Sequence, residues 1–169
     1  MVNKQLYCYC KIVAVILCLW SVAAACNTDR LSCLEPVTPQ LTMHCYQYID
    51  SNNTYIDTLL PNANIVSIDI DSARFWAIGV KEQSQFSIVL SSLHDTTRWA
   101  IQSDSAITPI DTLTFIYTRK LNFVSNACGY NYLYDLIQVL STRHNIDSVA
   151  INNSAVTTKA GIEHVKIFF

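Results

Sequence analysis

From residue 33 onward, apolar and polar residues mostly alternate in short runs, the two-residue period of half-buried strands. Val66-Ser67-Ile68-Asp69-Ile70-Asp71 is the cleanest case. It predicts Val66, Ile68 and Ile70 on one face and Ser67, Asp69 and Asp71 on the other. Tyr46, Tyr48 and Tyr55 flank a polar turn at residues 50–53. Residues 74–80, 85–90, 99–102 and 113–119 read as further strands, and 148–151 as a short late one. Turn-prone residues separate these runs roughly every ten positions, the cadence of an antiparallel sandwich or barrel. The chain has three glycines, so its turns must rest on Asn, Asp and Ser.

Residues 131–143 depart from that period. Leu133, Leu136, Ile137 and Leu140 fall at helical spacing, with Asp135, Gln138 and Arg143 off the stripe. The pattern predicts one amphipathic helix laid against the outside of the sheet, with Ser125 or Asn126 able to cap its start. The expected architecture is an all-β domain with a single C-terminal helix.

The N-terminus changes the picture. Lys4 and Lys11 precede an unbroken apolar run over residues 12–20, and Ser21-Val22-Ala23-Ala24-Ala25 offers small residues for cleavage. Residues 1–25 therefore read as a secretory signal peptide, and 26–169 as one domain. A retained N-terminal anchor is the plainer alternative. A lipid-modified Cys26 is another, although Ala23 stands where such sites usually carry leucine. The apolar run is short for a membrane span, and no other segment reaches the roughly 20 residues required. Secretion to an extracellular, oxidising space is the expected destination.

Of seven cysteines, Cys8, Cys10 and Cys18 would leave with the leader, and Cys26, Cys33, Cys45 and Cys128 would stay. Four cysteines allow three pairings, among which spacing does not choose. Asn52 and Asn152 begin glycosylation sequons. A net charge of −2 without a basic cluster argues against nucleic acid as partner. His44, His94, His144 and His164 lie far apart, so no metal is expected. No nucleophile elbow, phosphate loop or dinucleotide loop occurs. Neither an enzyme nor a cofactor is expected.

Residues 112–119, Thr-Leu-Thr-Phe-Ile-Tyr-Thr-Arg, resemble the eighth strand of a lipocalin, which commonly ends on arginine. Residues 133–151 resemble that family's helix and ninth strand, above all in Leu140-Ser141-Thr142-Arg143-His144-Asn145-Ile146-Asp147. The wording is closest to apolipoprotein D-like and insect lipocalins. Residues 88–101 have the shape of the preceding hairpin, with Ser92-Leu93-His94 where the family usually has Thr-Asp-Tyr. The family's glycine-x-tryptophan motif is absent.

The resemblance implies an antiparallel barrel, incomplete at its N-terminal strands, holding a small hydrophobic molecule of the lipid, retinoid or sterol class. It implies that Arg119 closes the narrow end, stacking on an aromatic ring and donating to backbone carbonyls. It also implies that Cys45 occupies the second-strand position and bonds Cys128, leaving Cys26 to Cys33. Trp76, Phe86, Trp99 and Tyr117 are the candidate ligand-lining side chains, with Phe115 beside them as interior; all of these are equally core residues of a filled sandwich. The competing expectation is a secreted β-domain interaction protein, an immune modulator or inhibitor, acting on a protein partner through its surface. The apolar end Val165-Lys166-Ile167-Phe168-Phe169 is then an exposed tail, or else one more strand.

Overall fold

β-Branched and aromatic residues dominate the runs that extend, and eleven strands result among the described residues. The computed structural model of the protein describes residues 33, 34, 38–49, 54–70, 77–106 and 108–169. In chain order the strands are β1 (Leu41–Ile49), β2 (Thr54–Asp57), β3 (Ala63–Ser67), β4 (Ala77–Val80), β5 (Gln85–Ile88) and β6 (Thr96–Gln102). They continue with β7 (Asp111–Ser125), β8 (Gly129–Ser141), β9 (Ser148–Ile151), β10 (Ala155–Val156) and β11 (Val165–Phe168).

Two sheets share these strands. One runs β2-β1-β11-β9, with β5 pairing the N-terminal half of β1. The other runs β10-β8-β7-β6-β3-β4. One of the two curls into a half-barrel. Their facing sides meet in one core, to which β1 gives Leu41, Met43 and Cys45, β11 gives Val165 and Ile167, and β7 gives Leu113, Phe115 and Tyr117. Residues 34–169 form one compact unit.

The expected helix at 131–143 is not there: these residues lie mostly in β8, and none of the described residues is helical. The reason is a bulge. Ile116 faces Gln138 but Tyr117 faces Leu136, so Ile137 is an extra residue on β8 and the alternation slips by one. Leu136 is 5% exposed while its neighbour Ile137 is 62% exposed. A two-residue period with one slip mimics helical spacing, and the supposed stripe is divided between two faces. The alternating Tyr130, Tyr132 and Tyr134 carry the strand signal in this segment.

The Val66–Ile70 face is corrected too. β3 stops at Ser67 and buries Ala63 and Ile65, leaving Ile68 exposed. Ser67 Oγ accepts from the Ile70 N–H at 2.9 Å, and Asp69 accepts from the Arg98 backbone N–H at 2.7 Å and from its guanidinium. These bonds bend the chain out of the strand. The C-terminal residues form β11, whose Val165 and Ile167 are fully buried, so they are a strand and not a free tail.

Cysteine pairing also differs from expectation. Cys33 and Cys128 are the disulfide-bonded pair, while Cys45 is a free, buried thiol. Cys45 shares the inward face of β1 with Met43, and burial, then the Asp57 charge, pushes its thiol up to about 12. Cys26 lies outside the described residues.

One buried carboxylate fixes the link from β8 to β9. Asp111 accepts from Thr142 Oγ1 at 2.7 Å and from the backbone N–H groups of His144, Asn145 and Ile146 at 2.6, 2.7 and 3.0 Å. Burial alone would raise its pKa, but these donors together hold the carboxyl below its ordinary value.

Candidate functional site

The β7–β8 hairpin is longer than the sheet around it. β6 accompanies β7 only from Asp111 to Ile116, and β10 touches β8 only at Tyr134 and Asp135. Beyond residue 119 the two strands pair with each other alone, Leu121 opposite Tyr132 and Phe123 opposite Tyr130. These four side chains continue the face that buries Tyr117 and Tyr134, since alternation along paired strands keeps opposite residues on one side. Among the described residues no second sheet covers them. Phe123 is 53% and Tyr130 65% exposed, with their rings 5.2 Å apart edge to face.

The loop at residues 89–95 folds back along this bare face. Its backbone is tied down by side chains of the hairpin and of β6. The Ser91 N–H donates to Thr97 Oγ1 at 3.0 Å, and Tyr117 OH donates to the Ser91 carbonyl at 3.0 Å. With that proton committed, the 2.5 Å contact between Thr97 Oγ1 and Tyr117 OH has threonine as donor, closing a ring of three bonds. Tyr134 OH donates to the Leu90 carbonyl at 3.3 Å. Burial, then the neighbouring Tyr117, pushes the Tyr134 hydroxyl up to about 12, so it remains a donor. Ser91 Oγ in turn accepts from the N–H groups of Leu93 and His94 at 3.2 Å.

Arg119 completes the brace. Its Nε donates to Asp95 Oδ1 at 2.7 Å, one Nη donates to the Ser92 carbonyl, and its guanidinium lies 5.9 Å from the centre of the Tyr132 ring. One planar cation thus holds the loop on one side and an aromatic ring on the other.

Between loop and hairpin opens a cleft of about 670 Å³. Tyr130, Tyr132 and Tyr134 form one wall, and Val89, Leu90 and Leu93 the other. The volume is that of a small-molecule site. Asp69 and His94 stand among its lining residues. The Arg98 guanidinium holds the Asp69 carboxyl below its usual range, and His94 Nδ1 lies 3.3 Å from Ser91 Oγ. Among the described residues no three His, Cys, Asp or Glu side chains gather as a metal ion would require.

The expected ligand residues fall elsewhere. Phe86, Trp99 and Tyr117 are buried in the central core and do not line this cleft. Trp76 and Asn52 lie outside the described residues. Asn152 is exposed, its amide donating to the Glu163 carbonyl at 3.2 Å. A helical reading of residues 131–143 hides the tyrosines of the cleft; their i, i+2, i+4 spacing is the signal that finds them.

The fold and the cleft define an all-β domain with an open, aromatic-walled recess at the end of a projecting hairpin. The chain belongs to a family of unknown function (DUF6452), whose model matches residues 62–169. That span includes the projecting hairpin and the loop at 89–95. No curated protein and no solved structure matches the chain.

Proposed function

We propose that this protein binds a small hydrophobic molecule, of the lipid, retinoid or sterol class, in the cleft between the projecting hairpin and the loop at 89–95. The observation that carries this reading is the uncovered aromatic face of β7 and β8, held open by a loop that Tyr117, Tyr134 and Arg119 immobilise. A preformed apolar recess needs little ordering on binding, so burying ligand area, worth about 25 cal/mol per Å², is not cancelled by conformational cost. The role is binding, with no catalytic step and no cofactor. The lipocalin likeness supports a carrier. Trp99 and Tyr117, however, are buried in the core, so this reading puts the ligand at the open end. The leader-like first 25 residues and the Cys33–Cys128 bond support an extracellular site of action.

The test is titration with retinol and with a fluorescent fatty acid, comparing wild type with Tyr132→Ala and Tyr130→Ala. Binding should saturate, survive high salt and weaken about tenfold in each variant, as for loss of an aromatic anchor. Saturable binding that neither variant changes would remove the ligand from this cleft. A second reading is a protein partner, favoured by the way Leu121 and Phe123 extend the apolar face past the cleft. It gains if no apolar ligand binds at all.

A further inference from the structure

A second crevice, of about 370 Å³, opens where β1 and β5 meet the turn after β10. Its floor is rigid. Thr42 and Ser87 are cross-strand partners whose hydroxyls lie 3.3 Å apart. Thr42 is itself gripped by His164: its N–H donates to His164 Nδ1 at 3.0 Å, and its carbonyl accepts from the His164 N–H at 3.0 Å. The wall is the turn at 157–161, where the Lys159 N–H donates to Thr157 Oγ1 at 3.3 Å. Gly161 sits there at φ +76°, a conformation that L side chains resist.

The lining chemistry is selective. Thr42, Gln85, Ser87, Thr157 and Thr158 offer hydroxyl and amide groups that both donate and accept. Lys159 is the one charged side chain among the described lining residues, which include no carboxylate and no aromatic ring. A cation has no counter-charge among these described residues. A lipid or flat ring finds no large apolar side chain among the described lining residues, only the methyl and methylene groups of Thr, Ala, Gln and Lys. An oxyanion finds both a positive charge and hydroxyl donors, and a polyol finds partners of either sense. The aromatic cleft is the converse, with three tyrosines and no lysine among its described lining residues.

We propose that this crevice is a second binding site, for a small polyhydroxylated acid such as a sugar bearing one carboxylate. Lys159 faces the carboxylate, and the hydroxyl floor of Thr42 and Ser87 receives the sugar hydroxyls. The assignment is independent of what occupies the aromatic cleft.

Glucuronate, glucose and acetate are the probes, titrated into the full chain and followed by calorimetry and by NMR shifts. Glucuronate should bind about fivefold or more tightly than either glucose or acetate at low salt, and that margin over glucose should shrink as salt screens the charge. Lys159→Gln should bring glucuronate down to the glucose level, while Thr158→Val should weaken both sugars. Tyr132→Ala should leave all three unchanged. Absence of saturable glucuronate binding overturns the proposal, as does glucuronate affinity unaltered by Lys159→Gln. Acetate binding as well as glucuronate also overturns it, since the polyol would then play no part. If Thr158→Val fails to fold, titration of the exposed Lys159→Gln variant decides the matter alone.

Discussion

The two halves of the β7–β8 hairpin follow one sequence pattern and meet opposite fates. From Asp111 to Tyr117, inward positions are packed beneath the β1 sheet, and Leu113, Phe115 and Tyr117 are closed to solvent. From Arg119 onward the same alternation presents Leu121 and Phe123 to solvent. Nothing in the side chains distinguishes a leucine bound for the core from one bound for a cleft. What differs is whether another sheet reaches that far. Apolar periodicity thus reports a face, and the neighbouring strands decide whether it becomes core or site.

The largest test of that contrast uses adjacent residues at the bulge. Leu136→Asp places an unpaired charge in the core and should destabilise by roughly 4 kcal/mol or more, whereas Ile137→Asp should cost under about 1 kcal/mol. Equal melting shifts for the two variants would mean that the bulge does not separate an inner from an outer face. Next comes Tyr117→Phe, which keeps the core ring but opens the three-bond ring with Thr97 and Ser91. A loss of about 1–2 kcal/mol is expected, together with weaker ligand binding as the 89–95 loop loosens. In the open half, Phe123→Ala should move stability by no more than about 0.5 kcal/mol. A larger loss in denaturant melts would show that the projecting face has cover of its own.

The smallest expected effect concerns pH. Burial lowers the pKa of His164, and the nearby Ala155 backbone offsets only part of that, with no group at hydrogen-bond geometry to Nε2. Because the folded pKa lies below the ordinary value of about 6.5, the neutral ring's contribution is complete above that pH and declines as pH falls through the folded value. Melting temperature should therefore drop between pH 7.5 and 5.5 in wild type and drop less in His164→Gln. Parallel curves for the two proteins would remove His164 from the account. Asp111, held below its usual pKa, adds a further loss only in stronger acid, below about pH 4.

Much of the strand content was legible in the sequence. The runs at 99–102, 113–119 and 148–151 extend as their alternation requires, and the run at 85–90 does so as far as Ile88. Three features were not legible, each for a physical reason. The bulge at Ile137 shifts the period without leaving a glycine or proline to mark it. The disulfide depends on which chain ends meet, and spacing carries no such information. The Asp111 carboxylate finds its donors at residues 142–146, some thirty positions away, so no local motif could reveal it. The cleft was half legible: its tyrosines alternate openly, but their lack of cover is a property of the assembled sheets.

Parallel pairing of β1 with β11 sets Met43 beside Val165 and Tyr46 beside Phe168. During synthesis, β1 leaves the ribosome long before the strand that completes its sheet. Until residues 165–168 emerge, Cys45 and the edge of β1 are open to thiol chemistry and to mispairing with other chains. Pairings of such long sequence separation also make for slow folding. This protein should therefore mature only after β11 has emerged, and it should depend, in the meantime, on whatever keeps an unfinished sheet from aggregating.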